Sequence, residues 1–104
     1  MVEQIKTTEQ FDTLLKDNKS VVVDFFATWC GPCKMVGPVV ETVSEQLSDV
    51  KFIKVDVDEL GDIASRYGIM SIPAIFAFKD GEKVGEQVGF APEPMIRALA
   101  EKTL

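Results

Sequence analysis

The chain places both of its cysteines in one short stretch, Trp29-Cys30-Gly31-Pro32-Cys33-Lys34, inside the longer run FFATWCGPCKMVGP. Two thiols at this spacing have three uses: a structural crosslink, half of a metal site, or exchange between thiols and disulfides. A disulfide that encloses two residues removes little entropy from the unfolded chain, so it is a weak staple. A structural zinc centre takes four Cys or His ligands, whereas the chain has 2 Cys and no His, and no metal is expected. The missing histidines also remove the Cys-His and Ser-His types of nucleophilic catalysis. Exchange chemistry remains: one thiolate opens a substrate disulfide, and a second thiol displaces the substrate in reduced form from the mixed disulfide.

The surroundings make the two thiols unequal. An apolar strand-like run, SVVVDFFA (20–27), ends just before the pair, and helical spacing begins near Pro32. Cys30 therefore falls at a helix N-terminus, where free N–H groups and the positive end of the dipole favour an anion; it is expected to be the more acidic thiol and the attacking one. Cys33 lies one turn further along the same face and is expected to resolve the mixed disulfide. Gly31 permits close approach, and Pro32 fixes the turn without presenting a donor. Asp24 interrupts the apolar run, and desolvation on a central strand raises a carboxyl pKa. Two readings of Asp24 stay open and are compatible: a proton acceptor for Cys33, or a buried acid held by a lysine such as Lys54 in the next parallel strand, KFIKVDV.

The elements that must hold these residues follow from periodicity. Strands are expected at 2–5, 20–27, 51–57, 74–79 and 82–88. Helices are expected from a Thr7/Gln10 capping box to about Lys16, from Pro32 to about Leu47, in a short segment after Asp58, and from about Pro92 to Lys102. Pro38 lies inside the second helix and should kink it. The first three strands alternate with helices and should be parallel, while the Asp-Gly of KDGE (79–82) predicts an antiparallel hairpin for the last two. The fold class is α/β: a central five-stranded mixed β-sheet flanked by four helices, in a single domain over 1–104.

With 104 residues, 46% of them hydrophobic and 27% charged, the chain has the composition of one packed domain. The net charge of −6 disfavours nucleic acid and anionic membranes as partners. No apolar run approaches a membrane span. MVEQIKTTEQ has the features of neither a secretory nor a transit peptide, so a cytoplasmic location is expected. GEKVGEQVG is polar and strand-like, neither a membrane dimer face nor a dinucleotide loop.

Taken together, VDFFATWCGPCK, the downstream Pro38, VDVDE, SIPAIFAFKDG and VGF, in order and at matching spacings, resemble the thioredoxin family over nearly the whole chain. The resemblance implies the thioredoxin fold and a protein-disulfide reductase working by dithiol-disulfide exchange, with Cys30 as nucleophile, Cys33 as resolving thiol, and Asp24 and Lys54 as the buried acid and its neighbour. It implies a groove formed by Trp29, Gly31, Pro32, Ile72, a cis Pro73 and Gly89, with Pro38 and Asp58 supporting it; Asp58 would accept the Trp29 indole N–H, and Met70, a departure from the family pattern, is expected beside this groove as a further substrate-binding residue. It implies no cofactor beyond the Cys30–Cys33 disulfide, disulfide-bearing proteins as substrates, an NADPH-dependent thioredoxin reductase as partner, and a monomer. Ala74 replaces a common threonine after the proline, and Met70 adds an apolar side chain, so both bear on partner choice. Two other functions compete with reduction: the same fold run as an oxidant or isomerase, and a redox-independent binding subunit of a larger assembly.

Overall fold

In the computed structural model, which describes residues 1–104, the elements run β1 (Glu3–Gln4), α1 (Thr8–Asp17), β2 (Ser20–Phe26), α2 (Gly31–Gln46), β3 (Lys51–Asp56), α3 (Gly61–Arg66), β4 (Ala74–Lys79), β5 (Glu82–Val88) and α4 (Glu93–Glu101). The strands form one mixed sheet in the order β1-β3-β2-β4-β5. β3 is parallel to both β1 and β2, whereas β4 is antiparallel to β2 and to β5. β2 is thus central and flanked on both sides, which is why its sequence is apolar almost throughout.

Side chains alternate across a strand, and β2 uses both faces. Val21, Val23 and Phe25 join Phe11 and Leu15 of α1 and Ile63 of α3 in one core. Val22 packs on the other face with Val36, Val40 and Val43 of α2 and Ile96 and Leu99 of α4. Burying each such side chain contributes roughly 1.5–3 kcal/mol, so the two cores clamp the sheet between helix pairs. The same parity turns Asp24 of β2, and Lys54 of β3, toward α2. The two are direct register partners.

Local chemistry sets the element ends. β1 is shorter than the predicted 2–5; beyond it only the Ile5 N–H continues the ladder, donating to the Lys54 carbonyl at 2.9 Å. α2 starts one residue earlier than predicted, at Gly31, and continues through Pro38 to Gln46. Pro38 cannot donate to the Lys34 carbonyl, so the ladder lacks one bond there. The hairpin turn has positive φ at both Asp80 (53°) and Gly81 (83°), as a type I′ turn requires.

The predicted capping box at α1 is half formed. Thr7 Oγ1 accepts the Gln10 N–H at 3.0 Å, but Gln10 Oε1 accepts from the Lys6 N–H at 2.8 Å and not from that of Thr7. Thr7→Ala is therefore expected to lower stability by about 1 kcal/mol in urea unfolding. An unchanged midpoint would mean that the Thr7 hydroxyl contributes nothing.

Candidate active site

β2 runs out at Phe26 and the chain turns into α2 through Ala27–Cys30, where the Cys30 N–H donates to the Ala27 carbonyl at 3.2 Å. Cys30 is the N-cap of α2, with extended backbone, and its Sγ accepts the Cys33 N–H at 3.2 Å. The two cysteines are joined in a disulfide, their Cα atoms 5.3 Å apart. The sulfur of Cys30 thus occupies the position that a capping oxygen holds in other helices, facing otherwise unpaired N–H groups. Gly31 and Pro32 fill the first two helical positions and are exposed.

Beneath the pair lies Asp24, only 4% exposed, with its Oδ1 making no hydrogen bond. Burial pushes its carboxyl from the ordinary 3.8 up to about 7, and the positive charge of Lys54 opposes that shift without cancelling it. Lys54 makes no direct ion pair with Asp24; its ammonium stands 5.6 Å from the centre of the Phe26 ring. The reading in which a lysine holds the buried acid therefore reduces to a through-space influence. A cleft of about 320 Å³ brings Asp24, Lys54 and Cys33 to a common space.

The rim is built from four loops. Trp29 is 70% exposed, and its Nε1–H donates to Asp58 Oδ2 at 2.8 Å. Asp58 is itself set by the buried Asp56, whose Oδ1 accepts the Asp58 and Glu59 N–H groups at 2.8 and 3.3 Å. The Ile72–Pro73 bond is cis, and Ile72 packs on the cluster of Ala27, Cys30 and Cys33. Gly89, at φ 87°, donates its N–H to the Pro73 carbonyl at 2.8 Å, which ties the end of β5 to that loop. Ala74 is buried, so the absent hydroxyl changes the interior of this junction and not its surface.

Met70 is placed differently from the rest. It is 96% exposed and lines a separate cleft with Tyr67, Phe76 and Val88, which neither cysteine enters. Phe90, directly after Gly89, is an exposed aromatic to which the sequence motif assigns no role. Its signal is an apolar ring placed after a polar edge strand. Asp56 is assigned none either, although Asp-x-Asp-Glu is the pattern of a side chain capping its own turn.

A paired dithiol capping the helix that follows the central strand of a sheet, with a desolvated carboxyl behind it, defines a thiol-disulfide oxidoreductase. No cluster of three or more His, Cys, Asp or Glu side chains is arranged to hold a metal. The family model for thioredoxin matches residues 2–102. Thioredoxin-1 of Saccharomyces cerevisiae is 47% identical over 100 residues, covering 96% of this chain and 97% of that protein. The solved structure of Plasmodium falciparum thioredoxin superposes with a TM-score of 0.91 at 38% identity, covering 97% of this chain and 98% of that one. A chain from work on the thiol resolving mechanism of yeast mitochondrial 1-Cys peroxiredoxin via glutathione/thioredoxin systems gives a TM-score of 0.87 at 34% identity, covering 96% and 94%. The chain belongs to the thioredoxin family. Its redox-active group is its own Cys30–Cys33 disulfide, as in that family, and its substrates are disulfides.

Proposed function

We propose that the protein is a general reductant of protein disulfides in which Cys30 attacks and Cys33 resolves. The observation that carries this reading is the capping contact: the Cys33 N–H that points at Cys30 Sγ is equally available to a Cys30 thiolate, whereas Cys33, inside the first turn, has no such donor aimed at it. Electrons move from the dithiol to the substrate disulfide, and the protein is left oxidised. Asp24 accepts the Cys33 proton in the second step, and the Lys54 charge keeps part of the Asp24 population ionised near neutrality.

Trp29, Gly31, Pro32, Ile72, Pro73 and Gly89 form the groove that receives an extended substrate segment, with backbone pairing beside Ile72. Asp58 and Pro38 support it, and Met70 acts from the neighbouring cleft on larger partners. Kinship with a chain studied alongside a peroxiredoxin supports proteins as the disulfide partners. The oxidised form is recharged by an NADPH-dependent thioredoxin reductase, which places the protein in electron transport and cell redox homeostasis. It works as a single domain over 1–104, monomeric and in the cytoplasm. No helix is long and apolar enough to cross a membrane.

The test equilibrates the protein against graded ratios of reduced and oxidised glutathione and maps alkylation of the reduced form. The expected result is a dithiol more reducing than the glutathione couple, with Cys30 alkylated first. Faster alkylation at Cys33 would reverse the roles, and a dithiol more oxidising than glutathione would make the protein an oxidant.

A further inference from the structure

Gly37 sits in the interior of α2, where glycine is among the least favourable residues. A glycine there ordinarily answers a positive φ or a close neighbour, and Gly37 has neither. Its φ is not among the positive ones, and a Cβ built on it meets nothing within 4 Å. Gly85 makes the contrast, since a Cβ there would stand 2.9 Å from Leu99 Cδ1. Packing explains Gly85 and leaves Gly37 unexplained.

What surrounds Gly37 is open space that leads to Asp24. Two clefts meet at this point, of about 320 and 460 Å³, and the residues common to both are Asp24, Gly37 and Lys54. One cleft runs on to Cys33, the other past Pro38 to Glu41 at the surface. A water molecule occupies about 30 Å³ of liquid, so both clefts admit water.

We propose that Gly37 holds open the passage through which Asp24 exchanges its proton with bulk water, making this glycine a positioning residue for the resolving step. The inference rests on the reading of Asp24 as proton acceptor. In that step the Cys33 thiol gives its proton to the Asp24 carboxylate, and its sulfur attacks Cys30 Sγ. The Cys30–Cys33 bond forms as the Cys30–substrate bond breaks, and the substrate leaves as a thiolate. Asp24 is then a neutral acid whose buried Oδ1 has no protein partner, so its proton leaves through water. The charged groups facing it are Lys54 from β3 and Lys34 and Glu41 from α2, while β4 contributes the uncharged Ile75. A side chain at 37 fills the junction, dries the carboxyl and favours its neutral form, which cannot accept a proton.

The test uses stopped-flow reaction of the reduced protein with an aromatic disulfide that releases a coloured thiolate at each step, so that attack and resolution appear as separate phases. Gly37→Leu, a good helix former, is expected to slow the second phase about tenfold at pH 7 and to raise the midpoint of its pH profile by about one unit, with the first phase unchanged. Gly37→Ala is expected to move both in the same direction by less, and serves if the leucine variant does not fold. Asp24→Asn runs alongside. If its second phase is slow while both Gly37 variants match the parent in rate and midpoint, the passage is not used and the inference falls alone. A slowed Gly37→Leu with an unmoved midpoint would mark a packing effect and also overturn it. If Asp24→Asn resolves at the parent rate, the proton-acceptor reading fails first and takes the inference with it.

Discussion

Cys33→Ser is expected to turn the catalyst into a trap, with multiple turnover falling by about a thousandfold or more while a one-to-one adduct with substrate accumulates on Cys30. Cys30 keeps its place as N-cap of α2 and the backbone N–H of residue 33, so attack on a substrate disulfide proceeds. Resolution is what disappears. In the parent, the second thiol is one helical turn away, with 5.3 Å between Cα atoms, and these are the only 2 cysteines of the chain. Reactions held in such geometry reach effective molarities of about 10⁵ M and above, against which millimolar external thiol is a slow substitute. The fold should tolerate the change, because the lost crosslink encloses two residues and constrains the unfolded chain little. Non-reducing electrophoresis and mass spectrometry of the adduct check the result. A Cys33→Ser protein that turns over like its parent, or a Cys30→Ser protein that forms the same adduct at the same rate, would reverse the assignment.

How much of this site could be read before any coordinates depends on which interactions are local. The strand-to-helix junction at Cys30 was legible because the end of an apolar run and the N-terminal proline lie within a few residues of it. Helix onset was displaced by one residue, since Gly31 has poor intrinsic propensity but is accepted where a first turn is already capped. The facing of Asp24 toward α2 follows from strand parity once β2 is known to be central. Its relation to Lys54 was only half legible: the register pairs them, yet the long lysine side chain carries its ammonium toward the Phe26 ring and leaves Oδ1 unpartnered. The order β1-β3-β2-β4-β5 was beyond reach, because a crossover can return to either side of a strand with the same sequence pattern. Met70 and Phe90 show the same limit on the surface. The path of the loop, and not the residue type, decides that Met70 faces a separate cleft and that the Phe90 ring is left exposed.

Asp24→Asn should stabilise the fold at neutral and alkaline pH and at the same time slow the resolving step by about a hundredfold at pH 7. The sign follows from where the proton sits. Below about pH 3 the carboxyl is largely neutral in folded and unfolded chains alike, and its ionisation contributes almost nothing. Between the unfolded value near 3.8 and the folded value of about 7, the unfolded chain has lost the proton that the folded one retains. Stability is therefore lost at about 1.4 kcal/mol per pH unit across that window, reaching a cost of about 4 kcal/mol once both states are ionised. Asparagine does not titrate, so the variant escapes this loss. It carries instead a constant penalty of about 1–3 kcal/mol for an amide with unmet hydrogen bonds in the same buried place. The net gain near pH 8 is then roughly 1–3 kcal/mol, and near pH 4 the variant is the less stable of the two. Urea unfolding of both proteins at pH 4, 6 and 8 measures the crossing, and the resolving phase measures the chemistry. Parallel stability curves would mean that Asp24 ionises normally in the folded protein. A variant stabilised as described but undiminished in rate would leave the buried acid as a cost without a catalytic return, and the Cys33 proton would have to pass directly to water.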